Sequence, residues 1–305
     1  MDERTFRQLL SAGVKNGASD VHLRAGSAPA LRINGRLVTV KAPALSSDDM
    51  ERCTGHVLTV LPNAPSPANV RDMDLSFPLP DVGRFRVSVF RAKGELALVL
   101  RVIPERIPTF TELGLPAALA DIALEPRGLV LVTGITGAGK SSTLAAMVGH
   151  INTETRQHVL TIEDPIEFVH ENAQARITQR EIGADCDDFA TALRGALRQD
   201  PDTILVGEMR DRETAEVALQ AAETGHLVLS TLHTTDAART IARLIELFPK
   251  DVHDGVRSRL AESLRAIVSQ RLLPRADGPG RVVAVELLTA TDTVRKMIRE
   301  DRLHD

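Results

Sequence analysis

The chain has 305 residues, which is long for one hydrophobic core and favours two domains. A net charge of −4 and an aromatic content of 3%, with no Trp and no Tyr, argue against a nucleic-acid partner, which requires basic surface and stacking rings. The two cysteines, Cys53 and Cys186, are too few for a four-cysteine zinc site and too far apart to indicate a disulfide framework.

The first hundred residues predict a small α+β domain, residues 1–103. Apolar residues recur first at helical spacing and later in alternation, and Asn34-Gly35 is a strong signal for a hairpin turn. The predicted elements, in chain order, are a helix over 6–17, strands over 21–23, 31–33 and 36–38, a helix from Ser47 that Pro62 ends, and a hairpin of strands 84–91 and 95–103.

Prolines at positions 104, 108 and 116 indicate a linker over residues 104–116. Because proline restricts φ, we expect this connector to be stiff enough to transmit a rotation between domains. Residues 117–305 then alternate strands with helices, which predicts a parallel sheet with helical crossovers. The predicted strands are 128–133, 158–162, 203–206, 226–231 and 281–288, and the predicted helices are 140–151, 187–198, 212–223, 237–247, 252–269 and 294–299.

The strand predicted at 128–133 leads into Gly134-x-x-x-x-Gly139-Lys140-Ser141, and a predicted helix follows. In that setting the motif predicts a cradle for nucleotide phosphates, where backbone amides and the positive end of a helix face the ligand. Lys140 would reach the β- and γ-phosphates, and the Ser141 hydroxyl would take one Mg²⁺ position, so ATP and Mg²⁺ are the expected ligands. The residues predicted to bind nucleotide here are Thr136, Gly137, Ala138, Gly139, Lys140, Ser141 and Ser142.

Two glutamates follow apolar runs, where an open parallel sheet places its ligand crevice. Hydrolysis of ATP requires a held metal ion and a water molecule aimed at the γ-phosphorus. We assign Glu163 to polarising that water and Glu208 to the Mg²⁺ shell, usually through water, although the two roles could be exchanged. Either carboxylate could instead be a charge at a strand end or a helix cap.

Two histidines bracket the strand predicted at 226–231. His233, at its exit, is the stronger candidate for contacting the γ-phosphate region or relaying its loss, while His226 is equally compatible with nucleotide binding and with a structural role.

The positive charge that stabilises phosphoryl transfer is expected from arginines, because the guanidinium fork matches phosphate oxygens. The hairpin at 84–103 carries Arg84, Arg86, Arg91 and Arg101, of which two could act on a bound nucleotide. The alternative is that these arginines only solubilise an exposed face.

Three segments together resemble the ATPases of type IV pili and type II secretion. TIEDPIEFVH at 161–170 resembles their Asp box, DPDTILVGEMRD at 200–211 their Walker B region, and GHLVLSTLHTTD at 225–236 their His box. Within that group the chain is most similar to the twitching-motility, or pilus-retraction, ATPases, because it lacks the four-cysteine zinc site of the assembly ATPases. Residues 293–301 resemble the C-terminal retraction motif but depart from it at Val294, Lys296 and Met297.

The resemblance implies a PAS-like N-terminal domain, a RecA-like ATPase domain and a homohexameric ring, with ATP between the domains and N-terminal arginines completing the site. It also implies an inner-membrane platform protein as partner. No apolar run is long enough to span a bilayer and no signal peptide is evident, so we expect a cytoplasmic protein, peripheral at the inner membrane. The alternatives are a secretion-type or accessory ATPase and, less favoured, a nucleic-acid-translocating ATPase that single strands would stimulate.

Overall fold

The computed structural model describes residues 1–61, 63–104, 106–278 and 280–303. The chain divides into two compact units, Met1–Glu105 and Arg106–Asp305. Pro62, predicted to end the second helix, lies outside the described residues, and that helix ends at Leu58. No helix in the described part of the chain is both long and apolar enough to cross a lipid bilayer.

The first unit packs two helices on an antiparallel sheet. Its elements are α1 (Glu3–Lys15), β1 (Ala18–Arg24), β2 (Ala30–Ile33), β3 (Arg36–Thr39), α2 (Ser47–Leu58), β4 (Asp72–Leu79), β5 (Gly83–Ala92) and β6 (Glu95–Ile103). The strand order is β3-β2-β1-β6-β5-β4, and every neighbouring pair is antiparallel. Asn34 and Gly35 both adopt positive φ, as the predicted β2–β3 turn requires.

Strand β4 was not predicted. Its sequence, DMDLSFPL, contains a proline, which removes a ladder donor and argues against a central strand. In the structure β4 is an edge strand, so Pro78 is tolerated, and only alternate residues such as Leu75 and Phe77 are buried.

The second unit is a parallel sheet with helices on both faces and one antiparallel edge pair. Its elements are α3 (Phe110–Leu113), α4 (Ala118–Ala123), β7 (Gly128–Thr133), α5 (Lys140–Glu154), β8 (His158–Glu163), β9 (Arg176–Glu181), α6 (Phe189–Ala196), β10 (Thr203–Val206), α7 (Arg212–Glu223), β11 (Leu227–Leu232), α8 (Ala237–Glu246), α9 (His253–Ser263), β12 (Leu264–Pro274), β13 (Arg281–Thr289) and α10 (Asp292–Arg299). The strand order is β13-β12-β7-β11-β10-β8-β9, and only β12 and β13 pair antiparallel.

Strand β7 lies in the middle of this sheet and is buried along its whole length. Leu131 packs into the core with α6 to α9, whereas Val130 and Val132 pack into the opposite core with α4 and α5. Each such side chain contributes about 1.5–3 kcal/mol when fully buried. Because both faces are covered, the sequence of the strand is a continuous apolar run. This packing holds the carboxyl end of β7 in place, and with it the start of the loop that follows.

The helix predicted over 252–269 is wrong in its last third, residues 264–269. Helix α9 ends at Ser263, and residues from Leu264 onward form β12, a strand between β7 and β13. Nearly every residue from Leu264 to Gln270 is buried, so the apolar run shows no alternation that would separate a buried strand from a buried helix. Strand β9 was also missed, because it is an edge strand of largely polar sequence, RITQRE.

Candidate nucleotide-binding and hydrolysis site

The phosphate cradle lies between the end of β7 and the start of α5. Gly134, Gly137 and Gly139 all adopt positive φ, a conformation that side chains other than glycine rarely allow. Gly139 is the N-cap of α5 and offers no side chain to cap the first turn. The amides of Lys140 and the residues after it are therefore open to an anionic ligand at the positive end of the helix.

Gly134 is the position in the cradle with the least space. A Cβ added there would lie 2.5 Å from the Gln270 carbonyl oxygen and 2.9 Å from the Ala138 Cβ, and φ is +147°. We expect Gly134→Ala to lower the free energy of unfolding by about 2–4 kcal/mol through strain and overpacking, and to weaken nucleotide binding. Urea unfolding followed by circular dichroism and a fluorescent-nucleotide titration measure both effects.

The matched control for that variant is Gly278→Ala, because an added Cβ at Gly278 meets nothing within 4 Å. We expect it to leave stability and nucleotide binding close to wild type. Equal stability of the Gly134 and Gly278 variants would contradict the steric argument.

A chain of hydrogen bonds joins the cradle to the ends of β10 and β11. Lys140 Nζ donates to the Gly134 carbonyl at 2.8 Å and lies 3.5 Å from His233 Nδ1. His233 Nε2 lies 3.0 Å from Glu208 Oε1, and the other Glu208 oxygen pairs with Arg210 at 2.8 Å. In the tautomer with its hydrogen on Nε2, His233 would donate to Glu208 and accept from Lys140.

Glu163 lies at the end of β8, next to β10 in the sheet. The Thr161 hydroxyl donates to its Oε1 at 2.6 Å and the Gln179 amide at 3.1 Å. Burial of the carboxylate raises the pKa of Glu163 despite these hydrogen bonds. A carboxylate with a raised pKa is suited to accept a proton from water near neutral pH.

Glu208 and Lys140 differ from Glu163 in their electrostatics. Burial acts to raise the pKa of Glu208, but the Arg210 guanidinium and His233 outweigh it, and the pKa lies below its usual value. Burial lowers the pKa of the Lys140 ammonium, against the opposing charges of Glu208 and Glu167. Two neighbouring carboxyl groups are thus held at different pKa values, which favours separate roles for them.

A cavity of about 230 Å³ adjoins this hydrogen-bonded chain. Its lining includes Glu208, Arg210, His233, Thr234 and Arg243. A wider groove of about 430 Å³ lies in the first unit between Arg7, Lys15 and Asp81, but none of the predicted site residues lines it. The smaller cavity is therefore the one related to the chemistry.

The structure brings most predicted residues of the second unit to one edge of its sheet. Residues 136–142 form the cradle and the first turn of α5, and Glu163, Glu208 and His233 follow the carboxyl ends of β8, β10 and β11. Because these strands are parallel, their carboxyl ends meet at the same edge as Gly134.

His226 is an exception: within this chain it lies away from the cradle, and its contact with a nucleotide stays a prediction. It precedes β11 at the amino edge of the sheet, where its carbonyl accepts from the Gly128 amide. Seven positions separate it from His233, which corresponds to about 23 Å at roughly 3.3 Å per residue. Its Nδ1 lies 3.0 Å from the Ala221 carbonyl, so the ring links the end of α7 to the start of β11.

Of the four arginines predicted from the first unit, three lie on two faces of β5, and Arg101, on β6, donates to Asp20 at 2.9 Å. Arg84 donates to the Ser76 hydroxyl at 2.6 Å, and Arg86 lies 3.8 Å from Asp74. Arg91 points to the other face, five residues beyond Arg86. Its guanidinium donates to the backbone carbonyls of Ala68, Val70 and Gly94 at 2.7–2.9 Å, which is a structural use of the side chain.

Several site residues were not predicted from the sequence. Thr161 shares a strand face with Glu163, so strand periodicity alone could have indicated it. Arg210 lies two residues after Glu208, within the segment 200–211 that resembles the Walker B region, so its place in that motif could have indicated it. Gln179 is on the missed strand β9, and Gln270, which donates to the Thr143 hydroxyl at 2.8 Å, lies on β12, just beyond the segment mistaken for a helix.

Comparison with known proteins places this site in a family. The model of the Type II/IV secretion system protein family matches residues 2–302. The chain is 46% identical, over 97% of its length and 86% of the relative's, to the type IV pilus retraction ATPase PilT of Pseudomonas aeruginosa. It is 41% identical to the type IV pilus ATPase PilU of the same organism, over 98% of the chain and 78% of the relative.

A solved structure agrees with the sequence comparisons. The crystal structure of the pilus retraction motor PilT with bound ADP superposes with a TM-score of 0.91 and 44% identity, covering 97% of this chain and 86% of that one. The fold class and the family inferred from the motifs are thereby confirmed. The chain belongs to the Type II/IV secretion system protein family, a family of ATP-hydrolysing enzymes.

Proposed function

We propose that this protein is an ATP-driven motor that retracts type IV pili. The observation that carries the proposal is the convergence of Lys140, Glu208 and His233 in one hydrogen-bonded chain at the edge of the sheet where Glu163 also lies. The similarity to PilT over nearly the whole chain supports retraction as the work done.

The chain's own residues account for the chemistry of hydrolysis. Lys140 exchanges its carbonyl partners for β- and γ-phosphate oxygens and offsets the charge that spreads over them in the transition state. Glu163 accepts the proton of the attacking water, and its hydrogen bonds to Thr161 and Gln179 aim the carboxylate. His233, between Lys140 and Glu208, senses whether the γ-phosphate is present.

The residues present also fit a Mg²⁺ ion held mainly through water and phosphate. Both oxygens of Glu208 already have partners, and no group of three or more His, Cys, Asp or Glu side chains in the described parts of the chain could hold a metal by itself. Mg²⁺ usually keeps several waters and binds one or two protein oxygens beside substrate phosphates. The Ser141 hydroxyl and, through water, Glu208 would hold it, and when bound it neutralises phosphate charge.

We further propose a homohexamer that acts on an inner-membrane platform protein from the cytoplasmic face. Hydrolysis that changes the shape of a subunit performs work only when neighbouring subunits respond to the change, which favours a closed ring. Arg84 and Arg86 are the candidates in the first unit for a guanidinium that acts on nucleotide, since Arg91 is bonded to backbone carbonyls of that unit and Arg101 is paired with the buried Asp20.

Complementation tests the function. In a piliated, retraction-deficient strain, we expect the wild-type protein to restore surface twitching and Lys140→Ala to restore none, at equal expression. Restored protein secretion without twitching would favour a secretion ATPase instead. Strong stimulation of the purified ATPase by single-stranded nucleic acid, with steep salt dependence, would favour a translocase.

A further inference from the structure

Gln179 on β9 contacts Glu163 from a neighbouring strand. In the parallel β8–β9 ladder, Gln179 lies directly beside Thr161, and both side chains reach the same oxygen of Glu163. Thr161 belongs to the same strand as Glu163 and moves with it. Gln179 therefore ties the Glu163 carboxylate to a neighbouring strand, and the Glu167 backbone amide adds a hydrogen bond from the segment that follows Glu163.

The orientation of the Gln179 amide is determined by its partners. Its Nε2 donates to the Phe168 carbonyl at 2.8 Å as well as to Glu163, and its Oε1 accepts from the His170 backbone amide at 2.8 Å. A flipped amide would set oxygen against oxygen and nitrogen against an N–H donor. Both amide hydrogens and the oxygen are therefore in use, and the side chain can take only one orientation.

Two of these three partners are backbone groups of the segment that follows Glu163, residues 164–170. The same strand also holds the start of that segment, because the buried Glu181 carboxylate accepts from the Ile166 amide at 3.1 Å. The backbone of residues 164–170 is thus attached to β9 at several points, and Gln179 is the point that also reaches Glu163.

We propose that Gln179 is a positioning residue for ATP hydrolysis, whose amide aims the Glu163 carboxylate by tying it to the backbone of residues 164–170. The inference rests on the proposed role of Glu163 as proton acceptor. It adds that this role depends on the 164–170 segment: if the segment moves, Glu163 loses the aligned Gln179 amide and the Glu167 backbone amide, and keeps Thr161. A small displacement of a reacting group is enough to slow the chemical step strongly.

The test is a double-mutant cycle on the purified full-length protein. Gln179→Met keeps the volume and removes all three hydrogen bonds. We expect kcat for ATP hydrolysis to fall about 10- to 100-fold, with KM and the Kd for a fluorescent ATP analogue within about twofold of wild type. In the Glu163→Gln background, the same change should cost less than about twofold, because the group it aims is already absent.

Gln174→Ala is the matched control, since Gln174 is an exposed amide that donates to the Thr153 carbonyl from a nearby segment. It should leave kcat unchanged. Gln179→Asn, which is too short to reach Glu163, serves as second variant should Gln179→Met not fold. Unchanged kcat in the Gln179 variants, or an equal loss in both backgrounds, overturns the proposal, whereas a wild-type protein without ATPase activity overturns the proposed function itself.

Discussion

Replacing Lys140 with alanine is expected to lower kcat for ATP hydrolysis by at least about 100-fold, because the loss of one preorganised charge at a phosphoryl group costs that much or more. Lys140 carries the ammonium group of the cradle, and among the residues that the structure describes its hydrogen-bond partners are the Gly134 and Ile135 carbonyls and His233. A phosphate oxygen is a stronger acceptor than any of these. Nucleotide affinity should fall as well, because the ammonium contributes to ground-state binding.

Phosphate release and a fluorescent-nucleotide titration measure these two effects. Lys250→Ala is the matched control, since Lys250 is an exposed lysine of the same unit at the start of a 3₁₀ turn. It should hydrolyse ATP at the wild-type rate. Hydrolysis by Lys140→Ala at more than about a tenth of the wild-type rate would show that the cradle is not where ATP is cleaved.

Replacing Glu163 with glutamine is expected to lower kcat by about 100- to 10,000-fold, the usual contribution of a positioned general base. Glutamine is nearly isosteric and can keep a bond to the Thr161 hydroxyl, so ATP binding should remain. Because burial raises the pKa of Glu163 above its usual value, wild-type kcat should fall as the pH drops through that raised pKa and the carboxylate takes up a proton. The residual rate of Glu163→Gln should lack that acid limb.

Steady-state kinetics across pH measure this effect, with Glu171→Gln as the control. Glu171 is an exposed glutamate in the same part of the chain. Its backbone carbonyl accepts a hydrogen bond from Asn152 at 2.7 Å, and the substitution leaves that carbonyl in place. Its glutamine variant should follow the wild-type profile. If instead Glu208→Gln removed the acid limb and Glu163→Gln kept it, the two carboxylates would have exchanged roles.

Much of the second unit could be predicted because its signals are local. The strands β7 and β10 and the helix α7 have the predicted bounds, since an apolar run with glycine or an acidic cap at its end specifies each of them. The cradle was predictable for the same reason: positive φ at Gly137 and Gly139 depends on the residue itself and requires no distant partner.

The missed strands, and the positions of His226 and Arg91 that the sequence could not indicate, share a different cause. Strands β4 and β9 lie at sheet edges, where one neighbour is enough to hold a strand and the sequence need not alternate clearly. His226 and His233 flank the same apolar run, one at each end. Only the parallel pairing of β11 with β7 shows that His233 lies at the edge of the sheet that carries the cradle. Arg91 cannot be distinguished from Arg86 by residue type, because its use depends on carbonyls about twenty residues away.

The sequence by itself determined the class of chemistry, the phosphate-binding loop, the two carboxylates and the family, because each depends on residue type at short spacing. Only the tertiary structure decided how those groups cooperate. The contact of Gln179 with Glu163 crosses 16 residues and that of His233 with Lys140 crosses 93. Such contacts arise from strand order and register, which are set by the burial of whole sheet faces.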